Sequence, residues 1–241
     1  MHHYLTYLSC LNTQYFFTMI QTLKNIKRKA VRFFQTPQQR RHALVGPAHL
    51  WKMKQDFQIS FLKSQGLAPN HKFMDIGCGT LRGGIPLINY LEEGNYCGLE
   101  VREEVLEEGK KELAEHALEN KNPQLICFKE FSELSFENKF DVLFAFSVLI
   151  HMKDEIVEKC IAFIGRVIAD GGAFYANVNI VSYSDNNWQG FPVGFRSMEF
   201  YENLAKKNGL TVSAVGTLAE LGHISGQELG DKQVMLCFKK G

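Results

Sequence analysis

The sequence predicts an α/β protein built on a doubly wound, mostly parallel sheet of seven strands. Short apolar runs alternate with amphipathic stretches along most of the chain, which is the pattern of strands and covering helices. The run FDVLFAF at 140–146 is almost wholly apolar, as expected of a strand buried on both faces. The last two strands have no helical stretch between them, so we expect one of them to insert antiparallel.

The elements follow one another from about residue 45 to the end of the chain. An amphipathic helix comes first, because apolar residues recur every three or four positions until Gly66. The predicted strands are 72–76, 95–100, 124–130, 140–146, 173–180, 211–216 and 232–240. The later predicted helices are 84–94, 101–118, 154–168 and 198–209. A polar and aromatic loop is expected between the fifth strand and the last of these helices.

Composition limits the classes of protein that this chain can be. Its 241 residues, 45% hydrophobic and 22% charged, can bury a full core as one large domain with an extension. The formal net charge of +1 provides no overall field to attract nucleic acid, so we expect no nucleic-acid partner. The six cysteines are scattered without a Cys-x-x-Cys pair. We therefore expect no disulfide, no metal site and a cytoplasmic location.

Residues 1–41 are predicted to be a basic and aromatic helical extension of a domain that spans 42–241. Seven Lys and Arg residues and no acid lie in 24–41, and Pro37 is expected to end a helix that begins near residue 17. No run of ~18 apolar residues suggests a spanning helix, and the basic run follows the apolar part, unlike a secretory signal. Two interpretations stay open: an extension outside the domain, even one translated from too early a start codon, and a membrane-surface helix.

The stretch KFMDIGCGTLRGG at 72–84 is the most informative part of the sequence. A strand ends in Asp75, and the chain then turns through Gly77 and Gly79 into a helix. In such a turn, backbone N–H groups converge and a polar or anionic ligand approaches closely. The dinucleotide fingerprint Gly-x-Gly-x-x-Gly needs a third glycine where this chain has Arg82. A nicotinamide-dependent oxidoreductase is therefore the less favoured interpretation.

The segment from Asp75 to Gly79 matches motif I of the class I S-adenosylmethionine-dependent methyltransferases. The chain resembles this family over roughly residues 45–240, which implies a Rossmann-like methyltransferase fold. The resemblance also implies S-adenosylmethionine as cofactor and S-adenosylhomocysteine as product. Asp75 would order the turn and reach the cofactor's amino group, while Gly77, Cys78 and Gly79 would hold the cofactor through their backbone.

The remaining parts of the family's cofactor site follow in order along the chain. Glu100 ends the second strand, and its carboxylate would accept hydrogen bonds from the ribose hydroxyls. Glu130 and Phe131 end the third strand and begin the next segment, where the family holds adenine with an acid and an apolar neighbour. The backbone around Phe146 and Ser147, after the fourth strand, would hold the methionine end.

Three sequence segments, VGPxxLW, DIGCGTLRGG and YLEEGxYxGLE, are similar to those of a bacterial methyltransferase subgroup linked to the tailoring of surface polysaccharides. That similarity implies a sugar or a sugar-linked acceptor. It also implies that Trp51 and Gln58, on the helix before the first strand, cover the cofactor. The alternative for these two residues is a tryptophan of the core and a glutamine of the surface.

Methyl transfer requires the acceptor nucleophile to be aligned and water to be excluded, and such positioning supplies ~7–11 kcal/mol. A hydroxyl acceptor also profits from a general base, which is worth roughly 10²–10⁴-fold. His151, after the fourth strand, is the first candidate for that base, although a histidine serving local hydrogen bonding is the alternative. His223, between the last two strands, is a more remote candidate.

Four residues after the fifth strand suit a polar acceptor: Tyr183, Asp185, Asn187 and Trp188. A loop that is polar only for solubility is the alternative. The sequence thus predicts methyl transfer to a hydroxyl of a small, carbohydrate-related acceptor, with O-methylation favoured over N-methylation. The competing hypotheses are the oxidoreductase named above and a module that binds S-adenosylmethionine without catalysis.

Overall fold

The structure is a computed structural model that describes residues 36–180, 186–188 and 191–241. The chain divides into two units between Ala43 and Leu44. In the described part of the first unit, helix α1 (Pro37–His42) is capped by Thr36, whose hydroxyl accepts from the Gln39 N–H at 3.1 Å. Pro37 therefore begins a helix, where its missing N–H leaves no bond unmade, and the expectation that it also ends one stays a prediction. The helix predicted before it falls outside the described residues.

The described part of the second unit contains two sheets. Its strands are β1 (Phe73–Ile76), β2 (Tyr96–Glu100), β3 (Gln124–Cys127), β4 (Phe140–Ala145), β5 (Ile168–Val178), β6 (Asn186–Trp188), β7 (Phe191–Val193), β8 (Leu210–Thr217) and β9 (Val234–Lys240). Within the described residues, the main sheet has seven strands in the order β3-β2-β1-β4-β5-β9-β8. Neighbours from β3 to β5 are parallel, and β9 is antiparallel to both β5 and β8. The predicted doubly wound sheet with one inserted antiparallel strand is confirmed.

Helices cover both faces of this sheet. They are α2 (Trp51–Ser64), α3 (Gly84–Tyr90), α4 (Glu103–Glu115), α5 (Asp154–Val167), α6 (Met198–Lys207) and the one-turn α7 (Glu228–Asp231). Helices α2, α3 and α4 bury residues such as Phe57, Leu87 and Leu106 in one apolar core cluster. Helices α5 and α6 bury Phe163 and Tyr201 in the other. This double coverage is the reason why β4 is apolar except for Asp141.

Two elements between β5 and β9 were not expected from the sequence. Strands β6 and β7 pair antiparallel as a small hairpin, where the sequence predicted only a loop. Helix α7 lies between β8 and β9, which were expected to be joined by a loop alone. Among the helices of the described ranges, none combines the length and the apolarity needed to span a lipid bilayer.

The topology brings three functional segments to one edge of the sheet. Strand β1 lies between β2 and β4, and all three run in the same direction. Their carboxyl ends therefore meet at the point where the strand order reverses, which is where open α/β sheets bind ligands. The glycine turn after β1, Glu100 at the end of β2 and the turn after β4 all lie at this edge.

A buried amide network fixes the turn after β4. Ser147 adopts a φ of +59°, which is uncommon for a residue other than glycine. Its N–H donates to Asn177 Oδ1 at 2.7 Å, and Asn177 Nδ2 donates to Gln233 Oε1 at 2.6 Å. Asn177 lies on β5, and Gln233 directly precedes β9. Neighbouring strands thus hold this turn against the functional edge.

Candidate active site

A cavity of about 520 Å³ opens at the carboxyl ends of β1, β2 and β4, within the size range of small-molecule sites. Segment 44–47, helix α2 and segment 218–233 contribute the remaining walls. Nine of the residues predicted from the sequence line this cavity: Gln58, Asp75, Gly77, Cys78, Gly79, Glu100, Phe146, Ser147 and His151. The fold therefore brings together side chains that are far apart in the sequence.

Glycine is required in the turn after β1 for both conformational and steric reasons. Gly77 and Gly79 have φ values of +71° and +58°, in the left-handed region that side chains disfavour. A Cβ added at Gly77 would lie 2.6 Å from Val148 Cγ2, and one at Gly79 would lie 2.7 Å from Val45 Cγ1. The N–H of Gly77 also donates to the Leu99 carbonyl at 2.7 Å. The turn is thereby fixed against the end of β2.

Glu100 joins the end of β2 to the glycine turn. Its buried carboxylate accepts from the Gly79 N–H through Oε2 at 3.1 Å. Oε1 accepts from the N–H groups of Val101 and Arg102 at 3.0 and 3.1 Å and from Arg102 Nε at 3.3 Å. A carboxylate oxygen accepts about two hydrogen bonds. Oε2 therefore keeps acceptor capacity for a ligand hydroxyl in the cavity.

Asp75 and Arg82 are opposite charges buried at the same cavity. Asp75 accepts a 2.8 Å hydrogen bond from the Tyr96 hydroxyl, yet burial raises the pKa of its carboxyl to about 6. Burial lowers the pKa of Arg82 to about 10, so the guanidinium stays charged at neutral pH. Lys54 lines the cavity as well, and burial followed by the charge of Arg82 lowers its pKa to about 8.

The guanidinium of Arg82 is only partly satisfied by the protein. Its Nη1 donates to the Val45 carbonyl at 3.1 Å. Its Nε is buried and has no hydrogen-bond partner in the described part of the chain. The guanidinium lies 5.9 Å from the rings of both Trp51 and Phe146. Trp51 is buried beside Arg82 and does not line the cavity itself, so it is placed to support the site through this packing.

Two histidines line the cavity. His151 lies in a 3-10 turn (Leu149–His151), and its Nδ1 is 2.9 Å from the Pro192 carbonyl. Because a carbonyl only accepts, Nδ1 carries the proton and the neutral ring keeps its lone pair on Nε2. Burial lowers the pKa of His151, which keeps it neutral near pH 7. His223 is bonded instead to the Asp231 carboxylate at 2.9 Å.

The residues predicted to hold adenine are not at the cavity. Glu130 forms a partly exposed ion pair with Lys159 at 2.8 Å. Phe131 is buried in the core, where its ring centroid lies 5.4 Å from that of Phe163. Strand β3 ends three residues earlier than predicted, so Phe128 is the residue that lines the cavity after this strand. The apolar residue predicted for this place therefore moves three positions towards the N-terminus, from Phe131 to Phe128.

The residues predicted to bind the acceptor are only partly described. Tyr183 and Asp185 fall outside the described residues. Asn187 and Trp188 lie in β6, where their backbones pair with those of Pro192 and Phe191. Their assignment to the acceptor therefore stays a prediction.

Sequence reasoning missed three cavity residues and underestimated a fourth. Arg82 was considered only as the residue that breaks the dinucleotide fingerprint. Lys54 stands four residues before Gln58 on α2, and this spacing alone would place both on one helix face. Phe128 was hidden by the late end assigned to β3. His223, treated as remote, lines the cavity, and nothing in the sequence pattern indicates its pairing with Asp231.

The strand order, the glycine turn after β1 and the acid at the end of β2 define the Rossmann-like fold of class I methyltransferases. The family model described as "Methyltransferase domain" matches residues 74–174, which extend from β1 into β5. The chain is also 27% identical over 134 residues to an uncharacterised methyltransferase of Schizosaccharomyces pombe. That match covers 53% of this chain and 46% of the yeast protein, less than half of its length.

Solved methyltransferases share the fold. An S-adenosylmethionine-dependent methyltransferase from Clostridium acetobutylicum is 14% identical with a TM-score of 0.60, over 92% of this chain and 99% of that one. Magnesium protoporphyrin IX methyltransferase from Synechocystis, solved with S-adenosylmethionine bound, is 15% identical with a TM-score of 0.62, over 89% and 97%. These likenesses show the fold. The family match adds that residues 74–174, within the second unit, are similar to a methyltransferase domain.

Asp75→Asn tests the cost of the buried carboxylate in the ligand-free protein. Because burial raises the pKa of Asp75 from 3.8 to about 6, the folded state binds this proton more tightly than the unfolded state. Stability from this group therefore falls as the pH rises from about 4 to about 6, by about 3 kcal/mol in all. We expect Asp75→Asn to unfold at higher urea concentration than the parent at pH 7.5 and to lose this advantage near pH 4. An advantage of the same size at both pH values would contradict the account.

Proposed function

We propose that this chain transfers a methyl group from S-adenosylmethionine to a hydroxyl of a small, polar, carbohydrate-related acceptor, such as a surface-polysaccharide substituent. The observation that carries the proposal is the meeting of the glycine turn, Glu100 and the turn at Phe146 in one cavity. The similarity of three sequence segments to the subgroup linked to surface polysaccharides supports a carbohydrate-related acceptor. Ser225 and Gln227, which line the cavity from segment 218–233, are polar groups suited to such an acceptor.

The residues present fit the cofactor. The glycine turn lines the cavity, Oε2 of Glu100 has spare acceptor capacity, and Nε of Arg82 lacks a partner among the described residues. When bound, S-adenosylmethionine supplies a methyl group on a positively charged sulfur. The protein's own work is to hold that nucleoside, to align the acceptor, to keep water out and to take up a proton.

Each end of the cofactor has a partner in the proposal. Glu100 accepts from the ribose, and Asp75 faces the α-amino group. Arg82 receives the α-carboxylate, because the edge formed by Nε and Nη2 matches two carboxylate oxygens. Within the described residues, only Nη1 of this guanidinium donates a hydrogen bond. Phe128 replaces Phe131 as the apolar neighbour of adenine.

The proton of the acceptor needs a base. His151 stays a candidate, since it is neutral and carries its lone pair on Nε2. The same bond to the Pro192 carbonyl also ties the turn after β4 to β7, which is the structural alternative for this residue.

Glu100→Ala tests the ribose assignment. We expect it to weaken the binding of both S-adenosylhomocysteine and 5′-methylthioadenosine by more than about 1 kcal/mol, because both ligands contain the ribose. Isothermal titration calorimetry measures this, with Glu130→Ala as the matched control that leaves both affinities unchanged. Wild-type affinity in Glu100→Ala would remove the ribose role.

Arg82→Gln tests the carboxylate assignment. We expect the affinity for S-adenosylhomocysteine to fall about tenfold or more, because a charge-assisted bond is lost. The affinity for 5′-methylthioadenosine, which lacks the amino-acid portion, should change less than about threefold on the same reasoning. Equal weakening of both ligands in the calorimeter would instead assign Arg82 to holding segment 44–47.

The reaction is tested by release of S-adenosylhomocysteine over a panel of simple glycosides. Each hydroxyl glycoside is paired with its amino-sugar analogue, for example methyl α-D-glucopyranoside with the 2-amino-2-deoxy compound. We expect S-adenosylhomocysteine to be released with the hydroxyl acceptors, and we expect the amino group of the analogue to add little to the rate of release. Release with amines alone would contradict O-methylation. Tight binding of S-adenosylhomocysteine with no turnover on any acceptor would favour a non-catalytic binding module.

A further inference from the structure

The two cavity histidines differ in the group that stands behind the ring. His151 is bonded to the neutral Pro192 carbonyl, and His223 is bonded to the Asp231 carboxylate. We propose that His223, oriented by Asp231, is the catalytic base that takes the acceptor's proton. This inference rests on the proposed methyl transfer and adds the residue that makes the hydroxyl nucleophilic.

The carboxylate behind His223 is firmly placed and charged. Asp231 Oδ1 accepts from the Ser225 hydroxyl at 2.7 Å and from its N–H at 2.9 Å, while Oδ2 accepts from the Gly226 N–H at 3.1 Å. Although burial raises the pKa of Asp231, these hydrogen bonds hold it below its usual range. An ionised carboxylate only accepts, so the proton of the neutral imidazole lies on Nδ1 of His223. The lone pair is then on Nε2.

Nε2 of His223 lacks a partner inside the protein. The residue is 2% exposed, and this nitrogen has no hydrogen-bond partner among residues 36–180, 186–188 and 191–241. Buried polar atoms are nearly always paired, so such an atom in a cavity wall points to a ligand. The ring cannot easily turn away, because its centroid lies 5.1 Å from that of Phe57 and 5.7 Å from that of Phe146. A hydroxyl entering the cavity would supply the missing donor.

The position of His223 also suits the reaction. It packs against Phe146, the residue directly after β4 where the proposed function places the methionine end of the cofactor. Two charged groups act on the ring, Lys54 from α2 and Asp231 from α7. Burial, followed by the charge of Lys54 among the lowering causes, keeps the pKa of His223 below its ordinary value despite Asp231. The ring is therefore neutral near pH 7 and ready to accept a proton.

The carboxylate makes His223 the better base of the two. As the ring becomes an imidazolium, a negative partner at Nδ1 stabilises it, whereas a neutral carbonyl does so less. In the step, the acceptor O–H bond breaks and its proton goes to Nε2. The oxygen's electron pair forms the new O–CH₃ bond, and the pair of the broken C–S bond stays on sulfur. The imidazolium later returns its proton to water.

The first test needs no acceptor. The full chain, labelled with ¹⁵N-histidine, is titrated by NMR in complex with S-adenosylhomocysteine and with sinefungin, which carries an ammonium group where the transferable methyl group would be. We expect His223 to be protonated at Nδ1 and bare at Nε2. We expect its pKa to be about 0.5 or more lower with sinefungin, since a like charge placed at about 6 Å would lower a pKa by that amount even at water's dielectric constant. His116, exposed directly after α4, is the control and should give the same imidazole ¹⁵N signals in both complexes.

The second test uses the hydroxyl acceptor found with the glycoside panel. His223→Gln should lower kcat by roughly 10²–10⁴-fold with unchanged affinity for S-adenosylhomocysteine, and His151→Gln should lower it much less. Asp231→Asn should move the acidic limb of the kcat/KM profile to lower pH, because the carboxylate raises the pKa of His223. A purely structural role of Asp231 would leave that limb in place.

The outcomes separate this inference from the proposed function. A proton on Nε2, or a His223 pKa that is the same in both complexes, would overturn the assignment while methyl transfer stands. So would a His223→Gln kcat within threefold of the parent. Failure of the wild-type chain to bind either S-adenosylhomocysteine or sinefungin would instead contradict the proposed function, and the inference with it.

Discussion

The hydrogen bond from the Gly79 N–H to the buried carboxylate of Glu100 is the contact on which the site depends. It joins the turn after β1 to the end of β2, so that two strands share one ligand surface. The left-handed glycines let the turn fold back far enough to make this contact. Oε2 of Glu100 then both orders the protein and stays open to a ligand hydroxyl. The parallel strands and the reversal of strand order place the glycine turn and Glu100 at the same edge of the sheet.

The cavity brings together ionisable side chains whose charges the fold itself does not require. Burial shifts the pKa values of Asp75, Arg82 and Lys54 towards the neutral forms, which means that burial opposes the charge on each of these side chains. A ligand carrying an ammonium group and a carboxylate would relieve both signs at once. Nε of Arg82 and Nε2 of His223 lack partners within the described residues, as expected where groups of a ligand would complete the hydrogen bonds. In the proposed function, the site gives up stability in order to bind a charged ligand.

The sequence predicted the sheet well because each strand is set by local pattern. The almost wholly apolar run of β4 and the turn from Asp75 to Gly79 can be recognised in the sequence without tertiary information. The end of β3 does not, since this exposed edge strand has no burial contrast to mark its last residue, and the adenine assignment shifted to Glu130. The pairing of His223 with Asp231 depends on how a loop folds against α2, which no spacing rule gives. Arg82 breaks the dinucleotide fingerprint, and the same residue lines the cavity of the candidate site.

The central claim is that a sulfonium nucleoside lies between the glycine turn and Glu100. A crystal structure of the chain grown with S-adenosylhomocysteine tests it most directly. The account predicts ribose hydroxyls within hydrogen-bond distance of Glu100 Oε2 and the amino-acid end against Gly77 and Gly79. A nucleoside bound away from both, or bound in the cavity with its ribose turned from Glu100, would contradict it.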